Sequence, residues 1–117
     1  MNKIYYLATC STCQRIIKEL GISEENFEMH DIKSQPMTTA QVNEMKALSG
    51  SYESLFSRRA MKYKSMGLAS QSLTEEDYKK LIVEEYTFLK RPVFLIDNEI
   101  FIGNSKKVVE AVQAKLT

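Results

Sequence analysis

Residues 6–20, Y-L-A-T-C-S-T-C-Q-R-I-I-K-E-L, place the tightest demand on any fold of this chain, because a cysteine must stand where an apolar strand gives way to an amphipathic helix. Cys13, Ile16, Ile17 and Leu20 fall at the i, i+3, i+4, i+7 spacing of one buried helix face, with Gln14, Arg15, Lys18 and Glu19 opposite. Ser11 or Thr12 opens this helix and Gly21 supplies its stop. Cys10 therefore lies at a helix N-terminus, where unpaired backbone N–H groups and a partial positive charge favour a thiolate. Such a position lowers a free thiol from about 8.5 to somewhere in the range of roughly 3.5–7.5. Cys13 completes a C-x-x-C pair.

Composition narrows the class. The chain has 117 residues, enough for one core, and a formal net charge of +1 with both signs scattered along its length. That balance makes no electrostatic case for direct DNA contact or for a membrane surface. The start M-N-K-I-Y-Y lacks the apolar run of a signal peptide, and no stretch approaches the roughly 18 apolar residues of a membrane span. A cytoplasmic protein is expected, and there two cysteines three apart read as redox chemistry before structural disulfide. The lone His30 leaves a metal site short of ligands, so no metal and no bound cofactor are expected.

Taken in order, the short run at residues 3–7 suits a buried strand, and residues 26–32 alternate as a half-buried strand does. With the helix between them, this opening reads as a parallel pair joined by a right-handed crossover. Residues 36–90 are helical by pattern. Thr38 or Thr39 caps a helix with Val42, Met45 and Leu48 on its apolar face, ending near Gly50. Residues 51–67 hold a short helix followed by a basic segment. Residues 72–90 form a helix capped by Thr74, with Tyr78, Leu81, Ile82, Glu85 and Leu89 toward one face. This stretch is an insertion and not a second domain.

The end of the chain returns to sheet: residues 92–96 are a strand behind a proline, Asp97-Asn98 is turn chemistry, and residues 100–102 run back as a hairpin. Asn104 or Ser105 caps a last helix bearing Val108, Val109, Val112 and Leu116. The fold class is α/β, in the order strand, helix, strand, helical insertion, strand, strand, helix, with a mixed sheet and flanking helices. His30 reads as a surface residue, and Tyr5, Tyr6 and the methionines as core or rim.

Three segments carry a resemblance: Y-Y-L-A-T-C-S-T-C-Q-R at residues 5–15, L-F-S-R-R-A-M-K-Y-K-S-M-G-L at 55–68, and L-K-R-P-V-F-L-I at 89–96. Together they resemble the thioredoxin-fold family of the glutaredoxin-coupled arsenate reductases (ArsC) and the Spx regulators. The resemblance spans nearly the whole chain, as one thioredoxin-like domain over residues 1–117. It implies Cys10 as nucleophile, Arg59 (or Arg58 in the competing register) and Arg91 as oxyanion ligands, and a cis peptide bond before Pro92. It also implies glutathione or glutaredoxin as external reductant. Planar guanidinium forks suit a phosphate-like anion such as arsenate, and their charge would lower the Cys10 pKa.

Two positions depart from the reductase pattern. The strand after the hairpin turn lacks that branch's third arginine and offers only Lys106 and Lys107 nearby, and Tyr6 or Leu7 stands where a histidine precedes the cysteine. Cys13 belongs to the Spx pattern, in which the pair closes into a regulatory disulfide and the partner is RNA polymerase. The third function the resemblance allows is a glutathione-dependent thiol reductase acting on mixed disulfides. Beside these stand plainer readings: Cys13 as a small core hydrophobe, Arg58 and Arg59 as solvated charges, and Arg91 as a cap on the preceding helix.

Overall fold

The computed structural model describes residues 2–117. Its first elements are β1 (Asn2–Tyr6), α1 (Ser11–Glu19), β2 (Phe27–Asp31) and α2 (Thr39–Ser49). They are followed by α3 (Met61–Ser65), α4 (Glu75–Glu84), β3 (Val93–Ile96), β4 (Glu99–Ile102) and α5 (Lys106–Leu116). Internal contacts group the chain into two compact units, a sheet unit of residues 2–35 and 91–117 and a helical unit of residues 36–90.

In the sheet unit the strand order is β2-β1-β3-β4. β1 runs parallel to β2, with Tyr6 level with Asp31, and antiparallel to β3, with Ile4 opposite Phe94. β3 and β4 form the expected hairpin, and Asp97 and Asn98 both take positive φ (49° and 66°), the conformation of a two-residue turn matched to strand twist. Alternation sends Ile4, Phe94 and Ile96 to one face, where they join Ile16 of α1, Phe27 of β2 and Val112 of α5 in one apolar cluster. Each such buried side chain contributes about 1.5–3 kcal/mol. The opposite face, with Tyr5, Val93 and Leu95, is also buried, which is why β3 reads as a continuous apolar run. Leu20 ends α1 and Gly21 follows at φ 66°, a left-handed turn that glycine adopts without strain. Ser105, not Asn104, caps α5 by accepting from the Val108 N–H.

In the helical unit Thr38 and Thr74 each start a helix through a capping box, with Gln41 and Asp77 as the reciprocal partners. Four expectations fail here. Val42 and Met45 are buried, but Leu48 is 39% exposed. The expected face steps in threes, while a helix turns every 3.6 residues, so the second step of three, at Leu48, drifts off the buried stripe. The helix expected to reach residue 90 ends at Glu84. There Glu85 turns extended and its carboxylate accepts from Thr87, opening a single 3-10 turn, Tyr86–Phe88. Residues 51–67 hold only a 3-10 turn, Glu53–Leu55, before the basic segment, and it is the basic segment that contains α3. Finally, Met61 is 89% exposed, so not every methionine lies in the core or at its rim.

The unit closes on Phe56, which stacks on Phe88 at 5.1 Å between centroids and meets Tyr78 at 4.9 Å and Tyr63 at 6.0 Å. The Glu75 carboxylate accepts the N–H groups of Tyr52 and Glu53 at 2.7 and 3.0 Å, tying the start of α4 to the turn after α2. Among the described residues, no helix is long and apolar enough to cross a membrane.

Candidate functional site: a thiol pair at a helix N-terminus

β1 ends at Tyr6, and a short loop delivers Cys10 to the N-cap of α1 in an extended conformation. The thiol makes no hydrogen bond of capping length, so the usual side-chain cap is absent. Its environment still acts on it. Burial pushes the Cys10 pKa up, but the backbone N–H and thiol of Cys13, the Thr12 N–H and the Arg91 charge together outweigh burial, and the value falls below the ordinary 9. The sulfur is held toward thiolate by the same unpaired helix donors that a serine or aspartate would cap.

Cys13, one turn along, is fully buried. Burial drives its pKa up to about 11, and the nearby Cys10 charge adds to that, against lowering contributions from the Leu7 N–H and from Arg91. The two sulfurs are thus set apart by environment: the Cys10 thiol is shifted toward thiolate and the Cys13 thiol is held protonated. Both cysteines are free thiols.

Arg91 stands just before β3, half-buried, and its charge reaches both thiols. α4 ends well before it, so Arg91 does not cap that helix. The Arg91-Pro92 peptide bond is cis and Pro92 is buried. Within the sheet unit the fold therefore brings together Cys10, Cys13, Arg91 and Pro92.

Arg58 and Arg59 belong to the helical unit, and their surroundings there differ. The Arg58 guanidinium donates to Glu53 Oε2 at 2.7 Å and to the Tyr78 hydroxyl at 3.1 Å, and lies 5.8 Å from the Tyr78 ring centroid. Arg59 is exposed; its backbone N–H donates to Ser57 Oγ at 3.3 Å. His30, expected at the surface, is half-buried, with its ring 5.1 Å from that of Tyr5. A shallow groove of about 450 Å³ beside α4, lined in part by Thr39, Asp77, Lys80 and Val83, contains neither thiol and none of these arginines. Among the described residues, no group of three or more His, Cys, Asp and Glu could hold a metal ion.

Sequence reasoning passed over two residues that handle the Cys10 loop, Asp31 and Gln14. Ala8 donates its N–H to Asp31 Oδ1 at 3.3 Å and accepts at its carbonyl from Gln14 Nε2 at 2.5 Å. The available signal was topological: an acidic residue at the carboxyl end of a strand parallel to the one that feeds the site.

A four-stranded mixed sheet with a thiol at the N-terminus of the first helix and a cis-proline entering the third strand defines a thioredoxin-like α/β protein. The sequence pattern of the ArsC family matches residues 5–112, and the chain belongs to that family. It is similar to the global transcriptional regulator Spx 2 of Bacillus anthracis (25% identical over 105 residues, 88% of this chain and 79% of the relative). A comparable likeness holds for the global transcriptional regulator Spx 1 of Lactococcus lactis (25% over 113 residues, 95% and 88%). An arsenate reductase from Vibrio cholerae shares the fold, with a TM-score of 0.76 at 16% identity over 93% of this chain and 95% of that one.

Proposed function

We propose that the chain is a thiol-dependent oxidoreductase in which the Cys10 thiolate attacks an oxyanion, with arsenate as the substrate class. The observation that carries this reading is the placement of the partly exposed Cys10 thiol at the N-cap of α1, among backbone N–H donors and beside the Arg91 charge, which shift it toward thiolate. A sulfur–arsenic bond forms as one arsenate hydroxyl takes up a proton and leaves as water. A glutathione thiolate then attacks the Cys10 sulfur, the sulfur–arsenic electron pair stays on arsenic, and arsenic(V) leaves as arsenic(III). The mixed disulfide on Cys10 is returned to thiol by further glutathione or by glutaredoxin. Arg91 holds the anion and offsets its charge during attack. Of the two arginines for which the resemblance implies an anion role, Arg58 is engaged within the helical unit by Glu53 and Tyr78, and Arg59 is exposed, which makes Arg59 the one to test. The protein acts as a thiol enzyme in the cytoplasm.

Steady-state arsenate reduction with glutathione and glutaredoxin tests this. Cys10→Ser should abolish turnover, Cys13→Ser should retain it, and Arg91→Ala or Arg59→Ala should raise KM for arsenate. A wild-type protein inert in that assay would remove arsenate as substrate.

A second reading draws on the two free thiols one helical turn apart and on the Spx relatives: a redox-switched regulator that binds RNA polymerase and opens or closes a Cys10–Cys13 disulfide. Capture of polymerase that changes between reducing and oxidising conditions supports it. Absence of capture in both conditions refutes it.

A further inference from the structure

Cys10 owes its place to a loop of small residues, Ala8 and Thr9, both exposed and without apolar anchorage of their own. Something else must fix that loop, because a sulfur displaced from the Thr12 and Cys13 N–H groups would lose what holds it as thiolate. The end of β2 supplies the grip. Tyr6 and Asp31 are level in the parallel register, and the Ile32 N–H donates to the Tyr6 carbonyl at 2.9 Å, so the ends of β1 and β2 are locked side by side. From there Asp31 Oδ1 accepts the Ala8 N–H at 3.3 Å. The carboxylate is itself held: Oδ1 also accepts the Lys33 N–H at 3.3 Å and Oδ2 accepts the Ser34 hydroxyl at 3.1 Å. On the other side of Ala8, its carbonyl accepts from Gln14 Nε2, and the Cys10 N–H closes the turn on the Leu7 carbonyl at 3.0 Å.

We infer that Asp31 is a positioning residue for the Cys10 nucleophile, acting through the backbone of Ala8 with Gln14 as its counterpart. The inference rests on the reading of Cys10 as the reactive thiol. It makes a prediction whose sign separates geometry from charge. A carboxylate near a thiolate disfavours it by repulsion, so removing that charge would lower the Cys10 pKa. Releasing the loop takes the helix donors away from sulfur and raises it.

The experiment is the pH dependence of iodoacetamide alkylation at Cys10, mapped by tandem mass spectrometry on the reduced full chain. Asp31→Ala should move the midpoint up by about one unit, with alkylation about tenfold slower below both midpoints. Asp31→Asn keeps an oxygen acceptor and drops the charge; it should stay within about twofold of wild type at every pH. Gln14→Ala should shift the midpoint in the same direction as Asp31→Ala, and it carries the test if Asp31→Ala fails to fold. An unchanged or lowered midpoint in both alanine variants, with a depressed wild-type midpoint, overturns the role of Asp31 and leaves Cys10 as nucleophile. A wild-type midpoint at the ordinary thiol value overturns the reading of Cys10 itself.

Discussion

The two units of this chain are held together by different means. In the sheet unit one apolar cluster runs from Ile4 through Ile16 and Phe94 to Val112, and its members recur at the periods of strand and helix. The helical unit relies on an aromatic group around Phe56 and on polar clamps: the Glu75 carboxylate on two backbone N–H groups and capping boxes at Thr38 and Thr74. The capping boxes are local, but the Glu75 clamp and the aromatic group pair residues far apart in sequence and leave no period behind them. The difference also touches chemistry. The sheet unit places the Cys10 sulfur where a helix ordinarily takes a capping side chain, while the helical unit caps both of its longer helices with capping boxes.

Substitutions can break this contrast or sharpen it. The largest loss of stability is expected from Phe56→Ala, about 3–5 kcal/mol by urea unfolding, because three ring contacts disappear at once. A loss below about 1 kcal/mol would mean that the aromatic group is not what holds the helical unit. Glu75→Ala should cost about 1–3 kcal/mol by leaving the Tyr52 and Glu53 N–H groups without their acceptor, with Glu75→Gln in between. If both variants melt as wild type does, the clamp is ornamental.

The thiol pair gives a pH-dependent term in the sheet unit. Unfolded Cys13 loses its proton near 9 and folded Cys13 near 11, so its contribution to stability is complete below pH 9 and is lost as pH rises from 9 to 11. Cys10 runs the other way: with its folded pKa lowered, its contribution is present above 9 and is lost as pH falls through the folded value. Urea midpoints of reduced wild type and Cys13→Ala, compared across that range, should converge as the pH rises. Parallel curves would refute the raised value. The smallest effect is expected from Lys115→Ala, which breaks an exposed pair with Glu99 at 3.3 Å and should change stability by less than about 1 kcal/mol.

The strand and helix order was legible in the sequence because apolar spacing, the Asp97-Asn98 turn and the Thr74 cap all have local physical causes. Cys10 was legible for the same reason, since a strand running into a helix fixes where its thiol must sit. What escaped was set by tertiary partners. Glu85 fits a helical face by spacing, yet its carboxylate is drawn off by Thr87 and by Lys62, whose Nζ lies at 2.6 Å. Leu48 and Met61 are apolar by composition and exposed in fact. Asp31 carries no periodic signal at all, and its link to Ala8 exists only once β1 and β2 are paired.

The pairing of Ile4 with Phe94 has a kinetic consequence. β1 emerges first and waits for the whole of residues 36–90 before its antiparallel neighbour exists, so the central contact of the sheet is among the most distant in the chain. Closing so long a loop costs entropy that grows slowly with length, and non-local pairing of this kind slows folding. Early collapse of the helical unit would shorten the effective loop. Its capped helices would then bear on the rate at which the sheet that carries Cys10 can form.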